Sequence, residues 1–481
     1  MRPSQSRAFR YLDLGFALIL LGIIYVSFFP GILSVDARYQ FGAVLNHNRD
    51  WHSPVMNIIW AGLNRLYIGS ALMVLVIQAG LILGLWLLLR LTIGNPIVRC
   101  VCLAGLVLYP AVFPTFGYFM KDSFFCAMMT CGCAWSVLAC SARSRQKNIF
   151  PALILAILFL FLAMATRPDG IAAVIPVLAW LGVNLITSST RAHAVFSLSN
   201  SIIYSVVAST LLAIVLILTI RIINTLLCQG MRDYPEQVLM DHDLAGLSVD
   251  SHQVLFPPSL LASDRPLADL QRAYTASDSW GVLFPENAPV RHVQTNDHAH
   301  YRELLAAWVS AIRNHPLLYL KNRIASFVAL LGLTGPLPET HQLSWSDYPN
   351  TYGNFGSFEQ INAVFSPGLL IRLEVCTFDF IERLFLLRPV VYVALTLLCL
   401  GWQFRYPRWD RLSNQVSLML SLSSLAHISG FLFCCPTSNL RFTLWTTLAS
   451  LLSAIILGAN YARVPRPEKG TGMLFQDRTH N

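Results

Sequence analysis

Apolar runs too long and too uncharged for a soluble core recur along this chain. They lie at about 14–33, 71–90, 97–116, 123–140, 149–166, 170–187, 198–222, 386–402, 415–434 and 442–460. A helix of about 20 apolar residues crosses the hydrocarbon layer, and inside lipid the backbone must satisfy its own hydrogen bonds. The pattern therefore predicts an all-α polytopic membrane protein with about ten transmembrane helices. Composition agrees: 55% of residues are hydrophobic and 12% charged, which excludes a soluble enzyme.

The formal charge of +9 does not point to nucleic acid, because the charges are segregated. Of the 25 acidic residues, 17 fall within 223–384. Basic residues elsewhere sit in short links: Arg2, Arg7 and Arg10, Arg90 and Arg99, Arg143 to Lys147, and the cluster 405–411. That asymmetry sets orientation, with basic links in the cytoplasm. It places both termini inside, and it puts loop 34–69, the links at 114–121 and 166–169, and the polar segment 223–384 on the outer face. The first run is read as a retained span, since no A-x-A-like site closes it. Segment 317–333 is apolar but carries Lys321 and Arg323; if it crossed, 405–411 would move outside, so it reads as a surface-lying or re-entrant helix. Three parts follow: a membrane module 1–222 containing loop 34–69, the domain 223–384 with juxtamembrane helices, and the last spans and tail 385–481. Nine of the eleven cysteines sit in apolar runs and read as packing residues, whereas Cys228 and Cys376 share the outer region and can pair. No P-loop or Rossmann fingerprint occurs, and no inside link is long enough to form a nucleotide domain.

The loop after the first run, PGILSVDARYQFGAVLNHNRDWHSPV at 30–55, holds two carboxylates at a membrane boundary, Asp36 and Asp50. Between them Tyr39, Phe41, Val44 and Leu45 have the spacing of an interfacial helix. Asp50 opens Asp50-Trp51-His52-Ser53-Pro54, an acid, an aromatic plate and an imidazole ahead of a fixed backbone. Three further outer turns carry charge: Lys121-Asp122, Arg167-Pro168-Asp169 and Arg441. Acids and cations together at a membrane surface suit loss of a lipid-borne phosphate. Cations neutralise the departing phosphate while a carboxylate takes the acceptor's proton. Each residue also has a plain reading: Asp36 as a solvated helix cap, His52 as a packing residue, and Lys121, Arg167 and Arg441 as interfacial cations. Trp345, Tyr348 and Tyr352 suit either a sugar or an interfacial belt. His292, His298 and His300 near Asp297 have metal-like chemistry but the wrong spacing.

Taken in order, a first span, an early loop aspartate, D-W-H-S-P, a K-D turn, an R-P-D-G turn, N-H-P-L-L-Y-L-K-N-R at 314–323 and the late Arg441 resemble the bacterial GT-C glycosyltransferases. The aminoarabinose, protein mannosyl and pilin arabinosyl transferases are of this kind. The resemblance implies a GT-C-like fold with a periplasmic cap domain, in the bacterial inner membrane, with its active site facing the periplasm. It implies a polyprenyl-phosphate sugar donor and a periplasmic acceptor, whether pilin, lipopolysaccharide or another glycan. Asp36 would be the general base of an inverting transfer and Asp50 the second acidic catalytic position. His52, Lys121, Arg167, Arg441, Trp51 and Tyr39 would bind substrate. No cofactor is implied; Ala37 stands where many members carry an acid, so a divalent cation is not indicated. Two competing readings share the topology: a flippase of lipid-linked sugars, and an O-antigen ligase or polymerase. A transporter places charges near the midplane of its spans, whereas here they gather at one face.

Overall fold

The computed structural model describes residues 7–33, 37, 40–41, 49–187, 198–285, 287–334, 385–407, 411–435 and 437–461, and the architecture below is theirs. The N-terminal part contains α1 (Arg7–Phe28), α2 (Pro54–Asn64), α3 (Ala71–Thr92), α4 (Pro96–Val107), α5 (Lys121–Ser144), α6 (Phe150–Thr166), α7 (Ile171–Thr187) and α8 (Leu198–Leu227). An insert follows with α9 (Gln237–Ser251), α10 (Pro266–Ala273), α11 (Trp280–Leu283), α12 (His298–Asn314) and α13 (Pro316–Leu330). The chain then re-enters the bundle as α14 (Pro389–Arg405), α15 (Leu412–Cys434) and α16 (Leu444–Tyr461). The two-residue strands β1 (Ile32–Leu33) and β2 (Tyr118–Phe119) pair in parallel and join the exits of α1 and α4.

Among the described residues seven helices are long and apolar enough to cross a membrane, so the protein is a polytopic helical membrane protein. The apolar helices α4, α6 and α14 are shorter, at 12, 17 and 17 residues. Each expected run falls on one of these helices, but α4 stops well before position 116. Pro110 and Pro114 follow, and a proline in a helix interior removes a donor and clashes with the preceding turn. The chain instead forms a 3-10 turn at Phe113–Phe116.

Lipid offers no hydrophobic drive for helices to associate, so small and polar residues do the packing. Gly84 lets α3 close on α5: a Cβ there would stand 2.9 Å from Thr130 Cγ2. Helices α14, α15 and α16 are stitched by hydroxyls. Thr396 bonds Ser450 at 2.5 Å and Ser424 at 3.2 Å, Ser453 bonds both Ser417 and Ser421 at 2.7 Å, and Gln403 Nε2 donates to Ser417 Oγ at 2.9 Å. Asp13 of α1 accepts from Trp86 Nε1 at 3.1 Å and faces Arg90 and Arg99 at 3.6 and 3.3 Å, tying α1 to α3 and α4.

The insert builds its own apolar core around α9, with Leu244, Leu247, Leu270, Val282 and Leu304 buried. Helix α13, the segment expected to be surface-lying or re-entrant, has an inverted pattern. Asn322, Arg323 and Ser326 are buried, whereas Leu317, Leu320 and Ile324 face outward. Its polar face meets α9 and the end of α15, leaving Leu317, Leu320 and Ile324 exposed.

Candidate functional site

Four element ends converge at one end of the bundle: the start of α5, the turn between α6 and α7, the last turns of α15, and the turn before α16. Local sequence explains three of them. Pro168 drives Arg167 out of the helical region, so Arg167 ends α6 in an extended conformation and Pro168–Gly170 forms a 3-10 turn. Gly170 is needed there, because a side chain would collide with the Phe125 ring. Lys121 and Asp122 open α5, where the helix dipole favours the carboxylate. Asn439 Oδ1 accepts from Arg441 N at 3.1 Å and so starts the 3-10 turn Leu440–Thr443.

Arg167 is the centre. Its Nε donates to Asp169 Oδ1 at 3.0 Å and its Nη2 to Asp169 Oδ2, a two-pronged contact, while Nη1 reaches Asp122 Oδ1. These use three of the five guanidinium hydrogens. Its Cζ lies 5.7 Å from the centre of the Phe431 ring and 5.0 Å from that of the Phe442 ring. The other oxygen of Asp122 faces Arg441 Nε at 3.8 Å, and Arg441 packs over Phe442 at 5.3 Å. Lys121 and His427 lie within electrostatic reach of Asp169. His427 stacks on Phe125 and its Nδ1 stands 3.0 Å from Thr446 Oγ1. Lys121, Arg167 and Arg441 outnumber Asp122 and Asp169 by one charge, so the centre suits a monoanion such as a phosphodiester.

The Asp50–Ser53 stretch docks beside this centre and also leaves it. Ser53 caps α2, accepting from Met56 N at 3.2 Å, and its hydroxyl donates to Ala165 O at 2.8 Å, two residues before Arg167. Pro54 takes the first helical position, where its missing N–H costs nothing. His52 is buried. Asp50 faces the insert instead: its Oδ1 accepts from Asp233 N at 2.6 Å and its Oδ2 pairs with Arg232 Nε at 2.9 Å. Burial pushes the Asp50 carboxyl above the usual range, against the pull of the Asp233 amide and Arg232. Trp51 meets the edge of His292 at 5.7 Å, and burial holds His292 below the ordinary histidine range.

Of the residues singled out in the sequence, Lys121, Arg167 and Arg441 come together. Asp50 and Trp51 sit at the joint with the insert, and His52 lies in the Trp51–Ser53 link. Asp36, Tyr39, Trp345, Tyr348, Tyr352 and Cys376 lie outside the described residues. The three insert histidines singled out near Asp297 have separate partners: His292 faces Trp51, His298 Nδ1 stands 2.7 Å from Tyr234 OH, and His300 Nδ1 stands 2.5 Å from Asp297 Oδ2. Among the described residues no three His, Cys, Asp or Glu side chains form a metal-ligand set. Sequence reasoning did not assign roles to Asp122, Asp169 or Arg232, and it passed over His427. A histidine within an otherwise apolar span was the available signal. No family model, curated protein or solved structure matches the chain.

Proposed function

We propose that the protein is a GT-C-type glycosyltransferase of the bacterial inner membrane, with its active site on the periplasmic face. In this reading it moves a sugar from a polyprenyl-phosphate donor to a periplasmic acceptor. The observation that carries the reading is the convergence of Lys121, Arg167 and Arg441 with Asp122 and Asp169 at a single end of the bundle. Arg167, fixed by two carboxylates, shapes the centre and retains one hydrogen on each Nη nitrogen for a phosphate oxygen. The Arg441–Asp122 separation of 3.8 Å exceeds a hydrogen bond, so a phosphate oxygen can draw Arg441 toward itself while Asp122 keeps its contact with Arg167.

Asp36 acts as general base. It takes the proton of the acceptor hydroxyl as the acceptor oxygen bonds the anomeric carbon. The bond from that carbon to the phosphate oxygen breaks with inversion, and polyprenyl phosphate leaves against the cations. Asp50, engaged by Arg232 and the Asp233 amide, anchors the loop that presents Asp36.

The test is transfer from radiolabelled polyprenyl-phosphate sugars to envelope acceptors by the purified protein. The expected result is transfer by wild type and loss of about a thousandfold or more in Asp36→Asn, with donor binding kept, as for removal of a general base. Normal transfer by Asp36→Asn would remove it as base. Movement of lipid-linked sugar across vesicles without any transfer would favour a flippase.

A further inference from the structure

The bundle alone does not hold the turn that carries Arg441. Where α15 ends, the Cys435 carbonyl accepts Arg323 Nη1 from α13 at 3.0 Å. Two residues later Thr437 Oγ1 donates to Asp278 Oδ1 at 2.7 Å, and Ser438 N donates to Ser277 O at 2.6 Å. The insert thus grips turn 435–441 twice, from α13 and from the 275–278 turn.

Both grips lean on one side chain of α9. His242 Nε2 stands 3.0 Å from Thr275 O, and its Nδ1 stands 3.3 Å from Arg323 Nη2. A carbonyl only accepts and a guanidinium only donates. His242 must therefore carry its proton on Nε2 and offer a lone pair at Nδ1, which is the neutral imidazole. Asp243 completes the hold on Arg323 at 2.6 Å, and Trp308 Nε1 donates to the other Asp243 oxygen at 2.9 Å. The Arg323 and Asp243 side chains are 2% and 0% exposed. An ion pair buried that deeply is a poor way to gain stability but a strong way to fix geometry, since its parts cannot be separated cheaply.

We propose that His242 is a positioning residue of the anion centre. As a neutral donor and acceptor it links Arg323 to the 275–278 turn. Together these set turn 435–441 so that Arg441 stands opposite Asp122. The proposal rests on reading that centre as a lipid-phosphate site, and its test separates the two.

The full-length protein is placed in nanodiscs and compared with His242→Leu, His242→Gln, Thr437→Val and Arg441→Ala. A glutamine side-chain amide has both N–H donors and a carbonyl acceptor and can serve both contacts. Two readouts are taken: amide exchange over 435–443, and retention of radiolabelled polyprenyl monophosphate. His242→Leu is expected to speed exchange over 435–443 and to weaken lipid-phosphate retention by about tenfold, the worth of one charge-assisted contact. His242→Gln restores both. Thr437→Val, which removes only the Asp278 grip, moves both in the same direction by less. Unchanged exchange over 435–443 in both His242→Leu and Thr437→Val overturns the proposal. So does wild-type retention in His242→Leu where Arg441→Ala has lost it. If Arg441→Ala retains the lipid as wild type does, the lipid-phosphate reading fails, and exchange alone decides whether His242 braces the turn.

Discussion

At the residue scale, a buried guanidinium and its carboxylates stand or fall as a set. Removing one partner strands a buried charge, whereas removing all of them need not destabilise. Arg167→Met should therefore cost about 3–5 kcal/mol, read from thermal or denaturant unfolding in detergent, and adding Asp122→Asn and Asp169→Asn should recover most of it. A triple variant no more stable than Arg167→Met would contradict this and show that Arg441 and Lys121 already satisfy the two carboxylates without Arg167. His242 gives a second prediction at this scale. Burial drags its pKa down from 6.5 to about 4, so the folded protein binds that proton less readily than the unfolded chain. The stability it confers is then complete above pH 6.5 and drains away as pH falls toward 4. His242→Gln lacks this loss, so its melting temperature minus that of wild type should climb steadily from pH 6.5 to 4, by the equivalent of about 3 kcal/mol. A flat difference would contradict a neutral, buried His242. The sequence motifs look different at this scale too. Two of the five residues of D-W-H-S-P are helix-start grammar, with Ser53 as cap and Pro54 at the first position. Much of R-P-D-G is turn grammar, with Gly170 making room for Phe125. What made these segments stand out was partly chemistry and partly chain geometry, and one sequence alone does not separate them.

At the scale of elements, hydropathy was readable because lipid removes the alternatives: an apolar run must be a helix. Where a run broke its own rule, as at Pro110 and Pro114, the helix followed the proline and not the hydropathy. Partner choice between helices was far less legible. The hydroxyls on α14, α15 and α16 give no period beyond that of a helix, yet Thr396, Ser424 and Ser450 form a closed triangle of hydrogen bonds inside the bundle. Each such bond in a membrane is worth about 0.6 kcal/mol on average, because the separated helices find other partners. Ser450→Ala, which removes two of the three, should therefore cost only about 1 kcal/mol. Ser450→Leu should cost clearly more, since its extra bulk forces the close-packed helices apart. Unfolding of the two variants in mixed micelles distinguishes them, and equal losses would show that the site packs loosely.

For the whole molecule, the decisive contacts join segments far apart in sequence, and nothing local announces them. Asp50 meets Arg232 and Asp233, and Arg441 meets Asp122 across the length of the bundle chain. Sequence could place these charges on one face by topology, and the convergence of Lys121, Arg167 and Arg441 was legible in that way. It could not say that Asp50 would turn from the Arg167 centre toward the insert, because an ion-pair partner that distant leaves no spacing to read. This orientation carries a prediction about division of labour. If Asp50 is a joint, an asparagine there still accepts the Asp233 amide and loses only its attraction to the half-exposed Arg232. Solvent screens such a pair, so Asp50→Asn should cost at most about 1 kcal/mol and leave transfer within about threefold of wild type. Asp50→Leu loses both contacts and should free the loop from the insert, seen as faster amide exchange across 49–53 and a fall in turnover. Arg232→Ala should cost somewhat more, since it also gives up the Glu236 pair and the Tyr234 ring. Adding Asp50→Asn to it should cost little further, because the Asp50–Arg232 attraction is already gone. A proton-transfer role makes the opposite demand: Asp50→Asn would then abolish turnover while exchange at 49–53 stayed slow. Exchange and turnover move together for a joint and separately for a base, which is what lets these variants tell Asp50 from Asp36.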